Sequence, residues 1–535
     1  MTDAGPLALD GGAPPSPPAR FNMAAHVLAA SAVTPDKTAL DVLPDASGAV
    51  AARLTFGALD RRVRALAAAL RQAGLRPGDR VGLRLASDTS FPILFFATIA
   101  AGGVACPIAA ALTEGEAAAL VARLRPRFLA WSEGLALAVP AGTTALPPGL
   151  LAEMAAEAPG PVADTAADDP AFLIFTSGTS GRPRGVLHAQ RSAWARRMMW
   201  DGWYGLEATD RMLHAGAFNW TFTLGTGLTD PWAAGATALI YAGPRDPLAW
   251  PRLAAAHGAT IFAAVPGVYR QLLRSRDDLR GAFATLRHGL TAGERLSPAV
   301  AEAWRARTGK GLHEALGMSE VSTFVSGCPA RPAPPGTAGY AQPGRRIAVL
   351  DEAADRAAAR GIAGRLAVDR RDPGLMLGYW EEPGADAAHR VTTPEGRWFV
   401  TGDRAVMAAD GAITHLGRGD DVMNALGYRV APQEVEEALS GLPGVAEIAV
   451  AELPVREDLS LIAAFVVPGG DAGDGEDAGD GDGTCPDEAT LAALAEARLA
   501  PYKRPKLWIA VDSLPRTPNG KLQRRALVDR HRRDR

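Results

Sequence analysis

The segment that looks most able to do chemistry is Thr176-Ser177-Gly178-Thr179-Ser180-Gly181-Arg182-Pro183-Arg184-Gly185. Its glycines let the backbone turn and approach a ligand closely. Its four hydroxyl side chains and free amides offer donors to phosphate oxygens, and Arg184 adds a fixed positive charge. The loop is not a Gly-x-x-x-x-Gly-Lys-Ser/Thr sequence, so a kinase or another P-loop nucleotide hydrolase is disfavoured while phosphate binding is not. A polar linker is the bland alternative for such a cluster taken alone.

The elements that must hold this loop can be read around it. Leu173-Ile174-Phe175 is an apolar strand running into the loop, and Val186 to Trp200 is expected to form a helix whose N-terminus favours anions. Helical spacing marks Phe21 to Ala32, Phe56 to Ala73 and Phe91 to Ala101. Arg80 to Leu85 alternates as a strand, and Thr237–Tyr241 and Thr260–Ala264 are further apolar runs between helices. This alternation predicts an α/β fold with mainly parallel sheets flanked by helices. Near Gly417 the pattern changes to a short helix and two strands, Ala446–Glu452 and Leu461–Val467, which predicts a small α+β domain. The expected organisation is a disordered tail at 1–20, a large domain at 21–418 and a small one at 419–535. The run from Gly469 to Gly483, almost all Gly, Asp and Ala, reads as a disordered loop.

Composition narrows the function. The 535 residues carry 56 basic and 59 acidic side chains, a net charge of −3, unlike the basic surface of a nucleic-acid binder. The three cysteines form no metal or disulfide pattern, no leader peptide or membrane span is apparent, and a cytoplasmic location is expected.

The loop resembles the signature of the acyl-adenylating superfamily, which includes the acyl-CoA synthetases, whose usual form is Thr-Ser-Gly-Thr-Thr-Gly-x-Pro-Lys-Gly. Here Ser180 and Arg184 depart from it, and Arg184 replaces a point charge with a planar fork. Other motifs follow in the family's order. Thr291-Ala292-Gly293-Glu294-Arg295 resembles the adenine-side turn. Leu316-Gly317-Met318-Ser319-Glu320 resembles Tyr-Gly-x-Thr-Glu, which implies Glu320 as a magnesium ligand and Ser319 as a phosphate partner. Trp398-Phe399-Val400-Thr401-Gly402-Asp403 implies a ribose contact for Asp403, and Gly417-Arg418-Gly419-Asp420 implies a second for Arg418 with Asp420 as the hinge. Gly427 and Arg429 match the small domain's Gly-x-Arg, lining the thiol tunnel and meeting phosphates. Pro515-Arg516-Thr517-Pro518-Asn519-Gly520-Lys521 implies Lys521 as the main catalytic residue of adenylation and as a target of regulatory acylation.

The resemblance implies a two-step ligase using ATP, Mg²⁺ and coenzyme A, closest in pattern to short- and medium-chain acyl-CoA synthetases. Trp220, Thr221 and Phe222 would line the acyl pocket, although such aromatic clusters more often pack a core. Acetate-specific relatives carry Trp where this chain has Gly317, so the expected acid is larger than acetate, aliphatic or aromatic. Transfer to a carrier-protein thiol, and a non-catalytic AMP-binding relative, are the alternatives. Free coenzyme A is the expected acceptor, because no carrier domain follows residue 535. A homodimer is a further expectation.

Overall fold

The structure is a computed structural model that describes residues 7–177, 183–216, 218, 220–244, 246, 248–419, 423–425, 428–430, 432–456, 459–469, 486–499, 501–517 and 522–533. Two large sheets carry the α/β pattern. A nine-stranded sheet has six parallel strands at its centre, in the order Gly311–Met318, His288–Ala292, Ile261–Ala264, Arg211–His214, Thr237–Tyr241 and Thr38–Leu43. Its edges are antiparallel. A seven-stranded sheet runs from Gly378–Tyr379 through Pro183–Ala189, Pro170–Ser177, Val104–Pro107, Arg80–Arg84 and Phe128–Trp131 to Thr144–Leu146.

The covering helices follow from local sequence. Phe56–Gln72 buries Leu59, Val63, Leu66 and Leu70 along one stripe, and the Thr55 hydroxyl caps it by accepting from the Ala58 N–H at 3.2 Å. Ser90–Ala100 is apolar on every side because it is buried on every side. No helix among the described residues is long and apolar enough to cross a membrane.

Two expectations change. First, Pro183–Ala189 is a strand and not the start of a helix. It pairs antiparallel with Pro170–Ser177 from Pro170↔Ala189 to Ser177↔Pro183, and with Gly378–Tyr379 on its other side. The apolar residues of this segment satisfy their backbone in a ladder between two strands, so no helix N-terminus follows the loop. The nearest helix is the single turn Ser192–Ala195.

Second, residues 7–20 are not a loose tail. Leu9 and Asp10 pair with Ala348 and Ile347, Ala8 is fully buried, and Arg20 bridges to Ala166. A further six-stranded sheet is antiparallel; it contains Ile347–Leu350, Ala363–Asp369, Gly396–Met407 and Ile413–Arg418.

Beyond residue 423 the sheets are small. Val445–Arg456, Leu459–Pro468 and Leu507–Ala510 form one, and Met423–Ala425 with Tyr428–Val430 another. Their packing is their own: one apolar cluster is built from Met423, Val430, Val435, Leu439, Ile462, Ala464 and neighbours within 423–508. The Gly469–Gly483 expectation falls on positions outside the described residues beyond 469.

Candidate active site

The carboxyl ends of neighbouring parallel strands present the motifs side by side, the usual place for a ligand in such sheets. Thr291 and Ala292 lie opposite Glu314 and Ala315, so the turn at Gly293 stands beside the strand that leads through Leu316-Gly317-Met318 to Glu320. Gly293 has φ +93°, and a Cβ there would lie 3.0 Å from the Trp220 ring. The turn's glycine is therefore filled over by the residue expected to wall the acyl pocket. Trp220 in turn meets Phe222 edge-on at 5.1 Å, and Phe222 stacks on the buried Trp203 at 5.8 Å.

Gly317 sits at an irregularity of the ladder with Ser322–Ser326. A Cβ there would come within 2.6 Å of the Ser322 carbonyl oxygen and the Thr323 Cα. What demands glycine is thus the backbone of the adjoining strand, and a larger residue at this place needs a different local strand geometry.

Glu320 accepts a hydrogen bond from the Tyr379 hydroxyl at 2.9 Å. Tyr379 is placed by its register opposite Val186, next to the strand that leaves the phosphate loop. Arg184, on that strand, lies 4.7 Å from the centre of the Tyr379 ring and pairs with Glu382 at 3.1 Å. The Thr176 hydroxyl donates to the Arg184 carbonyl at 3.3 Å across the base of the loop. The planar guanidinium can stack on the ring while its edge meets the carboxylate, which an ammonium cannot do. Ser177 lies in the strand at the loop's base, whereas Gly178, Thr179, Ser180 and Gly181 lie outside the described residues.

Asp403 and Arg418 face each other across antiparallel strands, with Arg418 Nη1 3.9 Å from Asp403 Oδ1. His415 Nε2 lies 3.3 Å from the same oxygen. Burial alone would raise the Asp403 carboxyl, but hydrogen bonding to His415 and the charges of His415 and Arg418 outweigh it and hold the pKa below the usual range.

The small sheets meet this face through ion pairs. Arg295 donates to Glu437 at 2.7 Å. Arg516 donates to Glu294 at 2.6 Å and to Glu447 at 2.9 Å, and Glu294 also pairs with Arg270 at 3.5 Å. A backbone bridge between Arg516 and Leu522 closes the ends of the segment that contains Lys521. Lys521 itself, Asp420 and Gly427 lie outside the described residues, as does the side chain of Arg429.

Sequence reasoning missed Tyr379, Glu382 and His415. None belongs to a recognisable spacing, and each reaches the site only through strand register. Arg516 belongs to the run Pro515–Lys521, where spacing gives it no role.

Comparison with known proteins agrees with this geometry. Residues 28–380 match the AMP-binding enzyme family, and residues 434–521 match the AMP-binding enzyme C-terminal domain. The chain is 32% identical over 495 residues to the benzoate–CoA ligase of Thauera aromatica, covering 88% of this chain and 89% of that one. The solved benzoate CoA ligase from Burkholderia xenovorans LB400 superposes with a TM-score of 0.81 at 28% identity, over 95% of this chain and 99% of that one. ATP-bound MatB from Rhodopseudomonas palustris gives 0.83 at 26% identity, over 95% and 98%. The chain belongs to the AMP-binding enzyme family, and its activity is that of an AMP-forming acid:CoA ligase using ATP and coenzyme A.

Proposed function

We propose that this ligase activates an aromatic or medium-chain carboxylic acid, with Glu320, Asp403, Arg418 and Lys521 serving ATP and the phosphate loop holding its pyrophosphate end. The observation that carries the reading is the chain of contacts from the loop to the acid motif, Arg184 over Tyr379 and Tyr379 to Glu320. It links the base of the phosphate loop to Glu320, the carboxylate this reading assigns to the metal. The aromatic preference is supported by the benzoate-activating relatives and by the aromatic walls at Trp220 and Phe222.

In the first step a carboxylate oxygen of the acid bonds to the α-phosphorus of ATP, the bond to the β-phosphate oxygen breaks, and pyrophosphate leaves. In the second, the thiol sulfur of coenzyme A attacks the acyl carbon, its proton is lost, and AMP departs. Catalysis of the first step is alignment and charge neutralisation. Lys521 would stabilise the negative charge, and Asp403 would accept the ribose hydroxyl protons, for which an ionised, acceptor-only carboxylate suits.

Among the described residues no group of three or more side chains is arranged to hold a metal. Magnesium needs few protein oxygens beside phosphate oxygens, so Glu320 fits as its protein ligand, and the ion would neutralise phosphate charge.

The small unit, 419–535, would turn about Asp420 between the steps and open the thiol path past Gly427. Its separate apolar cluster and its attachment through ion pairs support such a motion. The test separates the half-reactions. Lys521→Ala should abolish pyrophosphate release from acid and ATP while sparing acyl-CoA formation from supplied acyl-adenylate. Equal loss of both would refute the role given to Lys521.

A further inference from the structure

Beside Ser319 and Thr221 lies a small pocket. It touches both the acid motif and the run expected to wall the acyl pocket. Its polar lining includes His188, Ser192, Arg196 and Ser322, and Phe172 and Leu224 supply apolar wall.

Arg196 is built into this cavity at some cost to the fold. Its guanidinium donates to Asp230 at 2.8 and 2.6 Å, and both side chains are almost fully buried. The Tyr204 hydroxyl donates to Asp230 at 2.7 Å. Arg196 Nη1 donates to Ser322 Oγ at 2.5 Å. Gly225 has no side chain because a Cβ would overlap the guanidinium, 2.0 Å from Nη2. Ser322 holds its hydroxyl there from a backbone with φ +80°, a strained state for a non-glycine residue. Buried ion pairs contribute little net stability, so such an arrangement points to recognition.

His188 and Ser192 are 4% and 8% exposed, and neither ring nitrogen nor the Ser192 hydroxyl makes a hydrogen bond of normal geometry. The backbone of Ser319 is the polar group that bears most on the His188 ring, which stacks on Phe172 at 4.6 Å. Burial lowers the His188 pKa to about 4. The ring is therefore neutral at physiological pH and presents one donor and one acceptor. Leaving such groups unsatisfied is costly.

We propose that this cavity receives a hydroxyl group carried by the acid substrate at the end remote from its carboxyl, held by His188, Ser192 and the Arg196–Ser322 pair. The inference rests on the ligase reading above and names its substrate class as hydroxylated acids. Charge decides against a dicarboxylic acid. The Arg196 cation is already balanced by Asp230, so a second carboxylate would enter beside a buried anion with no other cation among the described lining residues to meet it. A hydroxyl brings one donor and can accept, which matches what His188 and Ser192 lack.

The experiment measures kcat/KM for matched acids: benzoate against 3- and 4-hydroxybenzoate, and hexanoate against 6-hydroxyhexanoate and adipate. Wild type is expected to favour a hydroxylated acid by about tenfold or more in at least one pair, since sites built to hydrogen-bond a hydroxyl reject analogues lacking it. Adipate should be poorer than 6-hydroxyhexanoate. In His188→Phe, which keeps the stacking on Phe172, and in the milder Ser192→Ala, the preference should fall about fivefold or more, chiefly through KM. Should His188→Phe fail to fold, Ser192→Ala carries the test. Acyl-CoA formed without hydroxyl preference, or a preference unchanged in the folded variants, overturns this inference and leaves the ligase reading standing. No acyl-CoA from any acid overturns the ligase reading and this inference with it.

Discussion

The ion pair between Arg516 and Glu294 ties the base of the Lys521 segment to the large sheets, and cutting it should slow one half-reaction only. The perturbation is Glu294→Gln, which removes the charge and keeps the shape. Arg516 and Glu294 have side chains 28% and 17% exposed and lie 2.6 Å apart. Exposed pairs contribute about 0.2–1 kcal/mol and hydrogen bonds to charged groups about 1.5–3 kcal/mol. After discounting for solvent and for Arg516's second partner Glu447, about 1 kcal/mol remains for this contact. If it favours the orientation that forms adenylate, its loss shifts the equilibrium between orientations about fivefold. Pyrophosphate release should then fall by up to about fivefold, while acyl-CoA formation from supplied acyl-adenylate stays the same or rises. Because Glu294 also borders the adenine-side turn, the single variant is not enough. A double-mutant cycle with Arg516→Gln isolates the pair, and its coupling should appear in the first half-reaction alone. Zero coupling, or equal coupling in both half-reactions, would refute the reasoning.

Two further outcomes follow from single residues. Gly317→Trp should destabilise the fold, by more than the ~1–3 kcal/mol usual for overpacking because the clash is with backbone, and should lower activity on every acid. A retained melting temperature with a profile shifted to the shortest acids would show instead that the Ser322–Ser326 strand gives way to a pocket plug. Glu314, on the strand leading to Glu320, has its pKa raised by burial to about 8, against the opposing Leu296 backbone hydrogen bond and Arg295 charge. The folded state keeps this proton longer than the unfolded state, whose carboxyl titrates near 4.5. Stability should therefore fall as pH rises from about 4.5 to about 8 and then level off. Glu314→Gln should remove that slope from melting temperatures measured across the range; an unchanged slope would place its source elsewhere.

Much of the proposed site is legible along the chain. The loop 176–185, Glu320, Asp403 with Arg418, and Lys521 each belong to a short run of fixed spacing, and their order carries the family. The helices Phe56–Gln72 and Ser90–Ala100 are equally plain, because a stripe or a full coat of apolar side chains is a local property. The segment after the loop misled the reading. Val186 onward is apolar enough for either element, and only the partner strands on both sides make it a strand.

The sequence by itself determined the reaction class, through residue types repeated at family spacing. The tertiary structure decided which groups meet. His415 reaches Asp403 because Gly396–Met407 and Ile413–Arg418 pair with a shift in register between Arg404 and Ala405. Arg184 finds Tyr379 and Glu382 because a two-residue strand from almost two hundred positions away lies beside Pro183–Ala189. Arg196, Asp230, Tyr204 and Ser322 join one hydrogen-bonded cluster though they lie far apart along the chain. Spacing fixes what a short peptide can present, but charge pairing over a few ångströms depends on strand register and packing, which no local pattern encodes.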